Sequence, residues 1–197
     1  GAGKTTTLKV VDGRVGATSG CVHIAGSHVN GASTDDLARA GVCAIPEGRG
    51  IFPNLTVIEN LRMMTYASPR LRASEVEEAA YTRFPILGER RKQLVGTMSG
   101  GQQQMVAIAR AIVTDPSLLL VDELSMGLAP LIVDELYDVL AQLAADGMSI
   151  LLVEQFARTA LRIADYAAIL TQGRIAHVGE PADLEDAIAA TYLGATA

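Results

Sequence analysis

Three groups of side chains in this sequence could do chemistry, and each lies where a loop meets a helix or a strand meets a loop. The first is Gly1-Ala2-Gly3-Lys4-Thr5-Thr6, ahead of a helical pattern. Glycines let backbone N–H groups close on phosphate oxygens, a lysine adds a point charge toward the terminal phosphates, and the next hydroxyl suits Mg²⁺. The full pattern, Gly-x-x-x-x-Gly-Lys-Ser/Thr, would put its first glycine three residues before Gly1, so the motif is expected to be cut through. The second group is Leu118-Leu119-Leu120-Val121-Asp122-Glu123. An apolar strand ending in two carboxylates brings charge to the carboxyl edge of a sheet, where α/β ligand sites form. Asp122 can hold Mg²⁺ through a water, and Glu123 can polarise an attacking water as a general base. The third is Ser99-Gly100-Gly101-Gln102, whose helix-start amides make a second anion site. Taken singly, these are a Gly-rich turn, a solvated strand end and an ordinary helix cap. Together they point to a phosphate-loop NTPase, in which two chains paired head to tail could sandwich a triphosphate.

The elements that must position these groups alternate along the chain. Helices are expected over Thr5–Val11 and Thr34–Ala40, with strands at Cys21–Ile24 and Val42–Ile45. The middle, about residues 55 to 115, reads as helical. It holds Val57–Tyr66, a helix opened by a capping-box sequence at Ser74-Glu75-Val76-Glu77, and a third helix after Gly101 running to Val113. Leu118–Val121 and Ile150–Val153 read as buried strands, separated by a long amphipathic helix from Pro130 to the stop at Gly147. Phe156–Ala164 reads as helical, Ala167–Leu170 and Arg174–Val178 as strands, and Pro181–Tyr192 as a closing helix. The pattern predicts an α/β fold, a mainly parallel sheet carrying an inserted helical subdomain, within one domain spanning residues 1–197 and truncated at its N-terminus.

Composition sets the outer bounds. The 197 residues carry 16 basic and 22 acidic side chains, a net charge of −6, which argues against a protein that coats nucleic acid. Hydrophobic residues make up 49%, enough for a real core. No apolar run approaches the roughly 18–20 residues a membrane span needs. Cys21 and Cys43 lack zinc-site spacing and read as small buried hydrophobes, and His23, His28 and His177 as structural or exposed.

These motifs, in this order, resemble the ATP-binding subunits of ABC transporters over the whole chain. Gly1–Thr6 looks like the end of Walker A, Ser99–Gln102 the signature loop, and Leu118–Glu123 Walker B. Softer features resemble the ATPase subunits of branched-chain amino-acid importers. They are the segment from Ile45-Pro46-Glu47-Gly48 to Val57, Ser125-Met126-Gly127-Leu128-Ala129-Pro130, Leu152-Val153-Glu154-Gln155 and the ending Tyr192-Leu193-Gly194. The resemblance implies a RecA-like P-loop fold with ATP and Mg²⁺ as ligands. Gly1, Ala2, Gly3 and Lys4 would hold the β- and γ-phosphates, with Thr6 near the α-phosphate. Thr5, Asp122 and Glu47, the last at the position usually held by the Q-loop Gln, would face Mg²⁺. Ser99, Gly100, Gly101 and Gln102 would contact the γ-phosphate of ATP held by the other subunit. Glu123 would be the base, and Gln155 would stand at the switch position usually held by His. Implied partners are a second ATPase subunit, identical or a sister, the transmembrane permease subunits and, indirectly, a substrate-binding protein. The implied location is peripheral, on the cytoplasmic face of the inner membrane. Urea-type and lipid-type transport ATPases and a soluble ABC ATPase are the alternatives. Two departures stand out: Leu124 replaces the usual Pro, which is expected to hold Glu123 less firmly, and Ala129 replaces the usual D-loop Asp.

Overall fold

The run Leu118-Leu119-Leu120-Val121 forms the middle of a three-stranded parallel sheet. Four aliphatics in succession suit a strand covered on both faces, and residues 119–122 are all buried. The computed structural model describes residues 1–48, 50–67 and 71–184. Strands are β1 (His23–Ile24), β2 (Ser27–His28), β3 (Val42–Ile45), β4 (Leu118–Asp122), β5 (Ser149–Val153), β6 (Ala167–Thr171) and β7 (Arg174–Gly179). The sheet order is β3-β4-β5, with Ile45 opposite Val121 and Asp122 opposite Val153, so the three strands end along one carboxyl edge. β1-β2 and β6-β7 are separate antiparallel hairpins.

Helix α1 (Lys4–Val11) packs on β4 and β5, and its one buried side chain, Leu8, joins Leu37, Val42 and Leu120 in a small core on one face of the sheet. Short α2 (Thr34–Arg39) is capped by Ser33. Between β3 and β4 the chain makes α3 (Val57–Ala67), α4 (Ala73–Arg83), α5 (Pro85–Glu89), a 3₁₀ turn at Val95–Thr97 and α6 (Gly100–Ile112). Then come α7 (Pro130–Ala145) and α8 (Ala157–Leu161). The larger core joins α3, α4, α6 and α7 to the other face of the sheet through Leu61, Val76, Ile108, Leu119, Leu136 and Leu140.

Several expectations change. β5 is not fully buried: it is an edge of its sheet among the described residues, and Leu151 is 38% exposed. The last two strands form an antiparallel hairpin outside the parallel sheet, because the tight turn at Gln172-Gly173 (φ 51° and 77°) reverses the chain at once. α4 begins one residue before Ser74: Glu75 reaches back to the Arg72 N–H at 3.2 Å and pairs with its guanidinium, so Arg72 takes the cap position. Cys21 is exposed, as are residues 14–20 before it, whereas Cys43 is half-buried and its thiol is pushed up by burial. β2 and α5 lacked a sequence signal. A helix begins at residues 181–184, while the rest of the expected closing helix and the Tyr192–Gly194 ending lie outside the described residues.

Candidate nucleotide site

Gly3 opens the site. It stands at the N-cap of α1 with φ 94°, a left-handed conformation that glycine adopts without a Cβ penalty. Among the described residues no side chain caps α1, so its first amides keep their partial positive charge toward the loop. The loop is steadied from behind, where the Ala2 carbonyl accepts the Gly173 N–H of the β6-β7 turn at 3.0 Å.

The next residues of α1 meet the end of β4. Lys4 Nζ lies 3.4 Å from Glu123 Oε1, and the Thr5 hydroxyl donates to Asp122 Oδ1 at 3.3 Å. Burial pushes the Asp122 carboxyl up from the ordinary aspartate range; the Thr5 hydroxyl pulls it back, and the Glu123 charge adds to the rise. Glu123 takes a left-handed backbone, φ 47°, uncommon for a side chain of its size. Its N–H donates to the Val153 carbonyl at 2.9 Å, anchoring the turn to the end of β5. Leu124 follows Glu123 in that turn. Its side chain is buried in the larger core, and its carbonyl accepts from Gln104 Nε2 at 3.2 Å.

Ser99–Gln102, Glu47 and Gln155 lie on other segments of the chain. Among the described residues, no hydrogen bond or ion pair joins Ser99–Gln102 to residues 1–6. At the start of α6, Ser99 Oγ accepts the Gln102 N–H at 3.3 Å while Gln102 Oε1 accepts the Ser99 N–H at 3.2 Å, so the cap already engages one helix-start amide. Gly101 is buried for a packing reason: a Cβ there would come within 2.3 Å of Ile132 Cγ2 on α7. Glu47 is exposed in the loop after β3, on the same sheet edge as Asp122 by register. The neighbouring Gly48 and Pro53 line a cleft of about 350 Å³ with Gln103, Gln104, Glu123 and Met126. Gln155 follows β5 and is exposed. Two residues escaped the sequence reading. Arg110, on α6, donates to the Gly50 carbonyl and stacks 4.7 Å from the Phe52 ring centroid, holding the loop that carries Glu47. Glu154 bonds the turn after Glu123. Arg110 lies outside the quoted motifs, and Glu154 stands in the Leu152–Gln155 segment without a role assigned to it there.

The donor set suits a hard cation. One hydroxyl and one carboxylate face each other at Thr5 and Asp122, leaving the other positions to phosphate oxygens and water, the arrangement Mg²⁺ favours. Among the described residues no three His, Cys, Asp or Glu side chains form an all-protein cage.

A glycine-led helix start facing two carboxylates at the edge of a parallel sheet defines a P-loop nucleotide-binding cassette. Residues 1–125 match the ABC transporter family, and the chain belongs to it, as an ABC ATPase subunit. It is 42% identical to the high-affinity branched-chain amino acid transport ATP-binding protein BraG of Pseudomonas aeruginosa, over 89% of this chain and 75% of that one. It is 35% identical to the probable branched-chain amino acid transport ATP-binding protein LivF of Archaeoglobus fulgidus, over 93% and 78%. Among solved structures it resembles an ATP-binding subunit of an ABC transporter, with a TM-score of 0.78 at 29% identity, covering 95% of this chain and 78% of that one. The ADP conformation of MJ1267, an ATP-binding cassette of an ABC transporter, shares the fold with a TM-score of 0.80 at 24% identity, over 98% and 84%. Among the described residues, no helix is long and apolar enough to cross a membrane.

Proposed function

We propose that this ATPase energises the import of branched-chain amino acids. It would work as one of two head-to-tail ATPase subunits docked on permease subunits at the cytoplasmic face of the inner membrane, with a substrate-binding protein delivering the cargo. The substrate class rests on the likeness to BraG and LivF. The catalytic reading rests on one observation, the Lys4–Glu123 and Thr5–Asp122 contacts that join the phosphate loop to the end of β4.

Gly1, Ala2 and Gly3 amides and Lys4 bind the β- and γ-phosphates, and Thr6 lies toward the α-phosphate. Thr5, Asp122 and Glu47 would hold Mg²⁺, and the ion when bound would neutralise developing charge on the phosphate oxygens. Lys4 now pairs with Glu123, and a γ-phosphate offered to Lys4 competes for that ammonium. Freed, Glu123 accepts a proton from the attacking water. Gln155 orients the same water through its amide, and Ser99, Gly100, Gly101 and Gln102 close on the γ-phosphate held by the partner subunit.

Glu123→Gln is expected to keep ATP binding and to lower hydrolysis by about 10²–10⁴-fold, the range of a lost general base. Filter binding and phosphate release measure the two. Parental turnover by this variant would remove Glu123 as the base. Leucine uptake by cells carrying the variant should fall with it; intact uptake would overturn the substrate assignment.

A further inference from the structure

The carboxylate of Glu154 accepts three hydrogen bonds from two loops. Oε1 takes the Ser125 N–H at 3.0 Å. Oε2 takes the Ser125 hydroxyl at 2.8 Å and the Gln155 N–H at 3.2 Å. Ser125, two residues after Glu123, is buried, and the Glu123 N–H is itself tied to Val153, next to Glu154. One carboxylate thus gathers the turn after β4 and the residue after β5. Beneath it lies Tyr137 of α7, fully buried, its phenol pushed far above the usual range by burial first and by the Glu154 charge second.

We infer that Glu154 is a positioning residue for hydrolysis, a brace that sets Glu123 and Gln155 relative to each other; the inference rests on the roles proposed above for those two residues. Two oxygens serving three donors need a carboxylate. Glutamine at this position has the same size but only one acceptor oxygen, and its NH₂ would meet an N–H or O–H donor. A group that merely filled space would tolerate that exchange; a brace would not.

The test is Glu154→Gln in the full chain, read three ways. Amide hydrogen exchange at Ser125 and Gln155 should quicken while Leu119–Val121 stay protected. ATPase kcat should drop by about 10- to 100-fold, the scale of a small misplacement of reacting groups, with KM for ATP unchanged. Ser125→Ala should give a smaller loss by itself and add little in the Glu154→Gln background, because both changes break one network. Unchanged exchange at both amides, parental kcat, or a rise in KM alone would each overturn the inference. A parental protein that lacks ATPase activity would overturn the proposed function instead, while the exchange experiment would still decide whether the brace exists.

Discussion

Lys4 and Glu123 carry opposite charges 3.4 Å apart and only partly exposed, so each is the first competitor for the other's substrate contact. Lys4→Ala should therefore do two things. It removes a phosphate contact, and it leaves Glu123 without its counter-charge. ATP affinity should fall by at least about tenfold, roughly one charge-assisted hydrogen bond, which titration calorimetry would measure. The fold should hold, because the N-cap at Gly3 and the Thr5–Asp122 bond remain. Residue types alone pointed to this chemistry. That the lysine rests on the glutamate, with the hydroxyl on the aspartate, depends on how α1 sits against β4 and β5.

At the scale of elements, α6 must lie close against α7, and Gly101 is the residue that permits it. Gly101→Ala would drive its new Cβ into Ile132 and should destabilise the protein by about 1–3 kcal/mol in urea unfolding. Combining it with Ile132→Ala should recover part of the loss. A Ser-Gly-Gly sequence suggests phosphate binding, yet this glycine also answers to a helix–helix contact invisible in the local sequence. Arg110 is a second example. Its guanidinium is half-buried, bonded to Gly50 and stacked on Phe52, so Arg110→Lys should not substitute for it. Faster proteolysis of the loop after β3 in that variant would report the lost support. Strand β5 shows the limit of periodicity: four aliphatics read the same in a central strand and in an edge strand, and only the strand order separates them.

Across the whole molecule, the helical stretch is tied to the α7 end of the sheet mainly by apolar packing. The cross-link between Arg83 and Asp146, at 3.0 Å, is exposed on the acidic side. Arg83→Ala should change stability by less than about 1 kcal/mol, as surface pairs do, whereas Leu136→Ala in the shared core should cost about 2–5 kcal/mol. The two thiols offer an independent probe of the fold. Cys21 should react with a thiol reagent at once, and Cys43, half-buried and held protonated by its surroundings, only slowly until the protein unfolds.

The sequence by itself determined the reactive residue types, the strand–helix order and the helix starts at Gly3 and Ser99. Each is written in neighbouring residues: a glycine before a lysine, aliphatics before two acids, a serine three places before a glutamine. Tertiary structure alone decided that Glu154 reaches Ser125, that Arg110 holds Phe52 and that the last two strands leave the parallel sheet. Those contacts join residues with no shared motif, and their partners become definite only when strand register and helix packing bring distant segments to within a hydrogen bond.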